Sequence, residues 1–133
     1  MLELGVFGGC YFGPNDSQEF KDNTKDLPAL WFENARLTSS YDPDANYFMV
    51  KSGMSKDWWV NKGLIHNDDP LGWFQWYCRF YAGRRHEDDA RQIKRWKNFR
   101  RWETNILNTA KDKPAERPVV RQSLLQWAYD PFI

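Results

Sequence analysis

Arg84-Arg85-His86, followed by Arg91, Lys94, Lys97 and Arg101, is the densest gathering of cations in the sequence. At helical spacing the last four share one face, and from Arg79 to Arg101 nine Lys or Arg stand against three acids. A phosphate backbone needs several cations along one surface, because each neutralised phosphate releases counterions. Arginine adds forked donors that suit phosphate oxygens and guanine edges. The plainer reading of such a face is simple solvation. A merely soluble helix mixes both signs, however, and acids are scarce on this face after Asp89. The expected function is therefore nucleic-acid binding, with DNA the first candidate, through Arg84, Arg85, Arg91, Lys94, Lys97 and Arg101.

A second set comprises Gln75, Arg79, Gln92 and Arg95. Gln75 and Arg79 form the polar stripe of an otherwise ring-covered segment, Gln92 and Glu103 fall among apolar positions, and Arg95 lies at their edge. Buried polar groups cost several kcal/mol unless paired. They could thus line a pocket, with the N-terminal glycines, for a carboxylate, phosphate or base edge. That reading makes the chain a small enzyme acting on a nucleotide or modified base. The plainer reading is an internal network, for example Arg79 with Glu103.

His66-Asn-Asp-Asp and His86-Glu-Asp-Asp repeat one pattern. Two histidines and a carboxylate can hold a divalent metal, but only if the two segments converge. Acids before a helix are more simply caps, so no metal is assigned and no cofactor is called for. Gly5-Val-Phe-Gly-Gly-Cys-Tyr-Phe-Gly lacks the spacing of the familiar phosphate-binding fingerprints and reads as tight turns beside bulky rings. Cys10 is a poor candidate nucleophile without a basic partner such as His66 or His86.

These groups must be positioned by a mainly α, compact domain of three or more helices, with an irregular Gly/Pro/aromatic-rich N-terminal half. Asp69-Pro70 predicts a helix start, with Asp69 as cap; the helix runs Leu71 to Ala82 and stops at Gly83. Its rings surround nearly the whole cylinder, which is the mark of a buried helix. A second helix is expected from Glu87 to about Ala110, with Ile93, Trp96, Phe99, Ile106, Leu107 and Ala110 on one face. A third starts near Pro118 and turns Val120, Leu124 and Trp127 inward. Residues 1–56 read as irregular, with turns at Asn15-Asp-Ser and Tyr41-Asp-Pro-Asp; Leu30-Trp-Phe and Tyr47-Phe-Met-Val are single helical turns or brief strands.

The 133 residues amount to one domain, and their charges nearly cancel, 19 basic against 18 acidic. The balance hides a seam: residues 1–70 hold 6 basic and 11 acidic side chains, and residues 71–133 hold 13 and 7. An irregular acidic half (1–68) and a helical basic half (69–133) follow. Segregation of this kind points to an anionic partner; it also permits a protein-interaction adaptor whose halves pair between subunits. With eight Trp, nine Phe and six Tyr, the core must be built from rings, of which Trp58, Trp59 and Trp102 are candidates for exposure. No apolar run approaches the ~18 residues of a membrane span, and Met1 to Gly9 lack the basic leader and apolar stretch of a secretory signal. Cys10 and Cys78 form no zinc pattern or redox pair and are expected as reduced thiols of a cytoplasmic protein.

The stretch Asp69-Pro-Leu-Gly-Trp-Phe-Gln-Trp-Tyr-Cys-Arg-Phe-Tyr-Ala-Gly-Arg-Arg, with Asp89-Ala-Arg-Gln-Ile-Lys-Arg-Trp after it, resembles a family of small hypothetical proteins from bacteria, phages, fungi and plants. Phe7-Gly-Gly-Cys-Tyr-Phe and Leu124-Leu-Gln-Trp-Ala-Tyr-Asp resemble it too. The resemblance spans most of the chain and implies no activity and no catalytic residue.

Overall fold

Rings do carry the core. In the computed structural model, which describes residues 1–133, Val6, Phe12 and Leu27 are buried together with Trp73, Phe74, Trp76 and Cys78 of the central helix and Leu125 near the C-terminus. Phe7, Tyr11, Phe12 and Phe74 alone meet at centroid distances of 4.7 to 6.0 Å. Full burial of one such ring contributes about 1.5–3 kcal/mol, so a chain poor in Leu and Ile still acquires a core. Both halves of the sequence supply it. A smaller cluster of Ile106, Ala110 and Leu124 extends it.

The architecture is all-helical with no strand: α1 (Gln18–Thr24), α2 (Lys56–Asn61), α3 (Trp73–Tyr81), α4 (Asp89–Asn98), α5 (Arg100–Thr109) and α6 (Pro118–Gln126), with single 3₁₀ turns at Ala29–Phe32 and Pro43–Ala45. No helix is long and apolar enough to cross a membrane. Helices α1 and α2 lie inside the stretch read as irregular or at its edge. They are too short to show a period, and their signal is the cap: the Ser17 and Ser55 hydroxyls accept the N–H of Phe20 and Trp58. The start of α6 is as expected, with Pro118 in its first turn.

Three boundaries differ from expectation, the simplest being the start of α4 at Asp89 instead of Glu87. Asp69 does not cap the central helix, which starts two residues later than predicted, at Trp73, behind Gly72 at φ 106°. The Tyr11 hydroxyl serves that end instead: it accepts the Gln75 N–H at 3.0 Å and donates to the Leu71 carbonyl at 2.8 Å, while Gln75 Oε1 accepts the Leu71 N–H. Burial pushes the Tyr11 phenol far above its ordinary pKa, so it keeps the proton that this bond needs. The third difference is at Phe99, where the expected long helix divides into α4 and α5. No Gly or Pro marks the joint; the Phe99 ring is stacked on Trp127 at 5.0 Å and 13°. Leu107, expected inside, is exposed.

The irregular N-terminal segments are held by side chains of α6. Gln122 Nε2 donates to the carbonyls of Gly5 and Val6, Gln126 Nε2 to those of Val6 and Ser52, and Gln122 Oε1 accepts the Phe48 N–H. Backbone outside helices must find such partners when buried. Arg121, just before them in α6, is fully buried and donates to backbone oxygens of Glu116, Ala110, Lys113, Pro131 and Ile133. It joins the end of α5, the connection to α6 and the C-terminal segment.

Candidate nucleic-acid interface

The charge seam closes on itself around Asp69. This carboxylate is fully buried and accepts a forked pair of bonds from Arg84, at 2.8 and 2.6 Å, and a third from Arg79 Nη1 at 2.9 Å. Arg79 also donates to Asp26 Oδ2 at 2.8 Å and to the Asp68 carbonyl at 2.6 Å. Hydrogen bonds to charged groups contribute about 1.5–3 kcal/mol each, against about 1 kcal/mol for a cap, which is why Asp69 serves the arginines and leaves the helix end to Tyr11. Arg91 likewise forks onto Asp88, at 2.5 and 2.9 Å, and donates to the Leu64 carbonyl. The Arg91 bonds hold the Asp88 carboxyl below its ordinary pKa. Arg84 and Arg91, both expected at the nucleic-acid surface, are thus engaged with internal carboxylates.

The expected pocket residues are drawn into two networks. Gln75 and Arg79 do not face out: Gln75 is buried at the start of α3, and Arg79 lies in the Asp69 clasp. Its partners are Asp26 and Asp69; Glu103 sits 3.6 Å from Arg100. Gln92 donates to Asp88 at 3.0 Å and accepts from Arg95 at 2.9 Å. The Arg95 guanidinium lies over the rings of both Trp59 and Trp127, 5.6 and 5.5 Å from their centroids. Burial, with Arg91 nearby, brings its pKa down to about 10, so it remains charged at neutral pH.

The two histidine segments do converge. Their rings meet edge to face at 4.8 Å; His86 Nε2 lies 2.7 Å from Asp68 Oδ2, and His66 Nε2 lies 3.3 Å from Glu87 Oε1. Ligand atoms of His66, His86 and Glu87 all fall within 4.8 Å of one another. The tautomer decides what this cluster does. In each segment Nδ1 accepts the backbone N–H two residues on, from Asp68 and Asp88, so the neutral ring carries its proton on Nε2 and donates it to a carboxylate. Ligation through Nε2 requires the proton on Nδ1, opposed to a backbone N–H. The pair is built as a staple between two turns. The acids beside it are not side-chain caps as expected: Asp89 accepts from Trp76 Nε1 and the His86 N–H, and Asp88 makes no capping bond.

Four of the six cations assigned to the interface are left. Arg85, Lys94, Lys97 and Arg101 are exposed and take part in none of the ion pairs. Arg85 is nonetheless fixed: its guanidinium lies over the Phe80 ring at 4.0 Å and donates to the carbonyls of Phe80 and Arg84 at 3.0 and 2.9 Å. Beside it runs a groove of about 370 Å³ lined by Phe80, Ile93, Trp96, Lys97, Ala128 and Tyr129. No sequence signal marked this groove, because Ala128 and Tyr129 reach it only through the end of α6. Of the rings expected at the surface, Trp102 is exposed, and Trp58 and Trp59 are half-buried against each other.

The N-terminal glycines make the tight turns expected of them. The Gly8 N–H is already taken by Asn46 Oδ1 at 2.7 Å, and a Cβ on Gly5 would stand 1.9 Å from the Ala45 carbonyl oxygen. Cys10 and Cys78 are free thiols; burial pushes Cys78 up to about 12 and also raises Cys10, so neither is a ready thiolate. In comparison with known proteins, the chain matches no family model, no curated protein and no solved structure.

Proposed function

We propose that the protein is a small nucleic-acid-binding module, acting on DNA in the first instance, whose contact surface is Arg85, Lys94, Lys97 and Arg101. Arg84 and Arg91 support that surface from behind through Asp69 and Asp88. The observation that carries the reading is Arg85: its guanidinium is held in place by two carbonyls and a ring, yet has no carboxylate. A cation positioned in advance and left without an ion pair favours an anion, while its neighbour Arg84 is paired with a carboxylate of the same chain. The enzyme reading has less support, since each expected pocket residue already has a protein partner. The adaptor reading loses its premise at the seam, where Asp26 and Asp69 pair with Arg79 and Arg84 within one chain. Free thiols at Cys10 and Cys78 suit the reducing cytoplasm, and the resemblance carried by the stretch from Asp69 to Arg85 favours membership of a family of small proteins from bacteria, phages, fungi and plants.

The test is fluorescence anisotropy with labelled DNA and RNA over a range of salt. Four neutralised phosphates give a log–log slope of about −3.6 on duplex and about −2.8 on a single strand. Lys94→Glu with Lys97→Glu should abolish binding and leave the thermal midpoint within a few degrees. No binding at low ionic strength, to any nucleic acid, overturns the proposal.

A further inference from the structure

Resting on that reading, we infer that the partner is single-stranded, and that the groove between Phe80, Ile93, Trp96, Ala128 and Tyr129 receives an unstacked base while Arg85 and Lys97 hold the flanking phosphates. Three of the five walls are aromatic, and every base offers a π-face to such walls. Two cations stand at the groove, Arg85 resting on the Phe80 ring and Lys97 in the lining itself. No acid lines it. That charge arrangement suits an apolar plane tethered to phosphates better than an apolar peptide side chain. The volume of about 370 Å³ lies at the small end of the range for small-molecule sites, about 300–1,000 Å³, which suits a single base with its sugar. A duplex keeps its bases stacked inside and offers none to a groove unless one is flipped out at a cost of a few kcal/mol.

The groove is also formed in advance. The Tyr129 hydroxyl donates to the Trp96 carbonyl at 2.6 Å, tying one wall to another. Ala128 is held left-handed at φ 58°, with the Ala128 N–H bonded to the Leu125 carbonyl and the Tyr129 N–H to the Leu124 carbonyl. This closure of a helix end usually takes glycine at the left-handed position. Alanine there is strained, and its residue forms part of the groove wall.

The probes are four labelled or competing ligands: a DNA strand, its duplex, the same strand with abasic sites throughout, and a free mononucleotide. The strand and its abasic form carry equal phosphate charge and differ only in bases. Binding of the base-bearing strand should exceed that of the abasic strand by at least about five-fold, the equivalent of one stacked base, and should exceed that of the duplex. The mononucleotide should compete poorly. Equal affinity for base-bearing and abasic strands, or preference for duplex, overturns the groove while nucleic-acid binding stands. A mononucleotide that competes as well as the strand overturns the polynucleotide assignment. Failure of all four, and of an RNA strand, to bind at low ionic strength overturns the proposed function itself.

Discussion

Replacing Asp69 by asparagine keeps the shape of the side chain and removes its charge, and the two roles open to this residue predict different outcomes. As a helix cap, asparagine serves as well as aspartate, and stability would change by a few tenths of a kcal/mol at most. As the anion between Arg79 and Arg84, the loss is larger. Three short bonds converge on Asp69, and removing one partner of a buried pair costs about 3–5 kcal/mol. The Arg79 and Arg84 side chains retain 19% and 27% exposure, so water offsets part of this and the expected cost falls to the lower end, about 3 kcal/mol. That is a large fraction of the ~5–15 kcal/mol of a typical domain. With a urea slope of about 2 kcal/mol/M, the unfolding midpoint should drop by ~1.5 M. Tryptophan fluorescence reads it directly, and an unchanged slope confirms that stability alone has moved. A loss below about 0.5 kcal/mol would refute the clasp and return Asp69 to the capping role.

Gly5→Ala should destabilise by at least about 2 kcal/mol, because Gly5 sits at φ 86° and a Cβ would strike the Ala45 carbonyl; a denaturation curve that superposes on the parent's would contradict this. Ala128→Gly should do the reverse and raise the melting temperature, since relief of about 1–2 kcal/mol of left-handed strain outweighs glycine's ~0.5–1 kcal/mol of extra chain entropy. Asp88, held low by Arg91, contributes stability that is present above the ordinary carboxylate pKa of about 3.9 and is lost as pH falls through its lower folded value. Melting temperature against pH should therefore fall below about pH 4, less steeply in Asp88→Asn, and identical slopes would remove the Asp88–Arg91 pair from the acid response. Cys78, with its thiol pushed up to about 12 and buried, should resist thiol reagents in the native protein and react on unfolding; prompt labelling of both cysteines in the folded state would count against the packing of α3.

Much of the fold was legible because it depends on local pattern. The ring-covered run from Trp73 to Tyr81 announces a buried helix, Pro118 announces the start of α6, and the aromatic core follows from the number of rings. Helices α1 and α2 were not legible, since six or seven residues carry too few apolar positions to show a period, and the break at Phe99 has no Gly or Pro to mark it. At the site, sequence spacing correctly placed Lys94, Lys97 and Arg101 on an outward face. It could not separate Arg85 from Arg84, which are adjacent and chemically identical, nor foresee Arg121, whose five acceptors are backbone oxygens without a residue-type signature.

Composition and periodicity alone thus determined that this chain is helical, aromatic-cored and divided into acidic and basic halves, because those properties are sums over neighbours in sequence. Only the tertiary structure decided which cations are neutralised. A carboxylate's choice between a helix end and a guanidinium depends on distances between residues far apart in the chain, and Asp69 is bound to Arg84 because folding brought them within 3 Å.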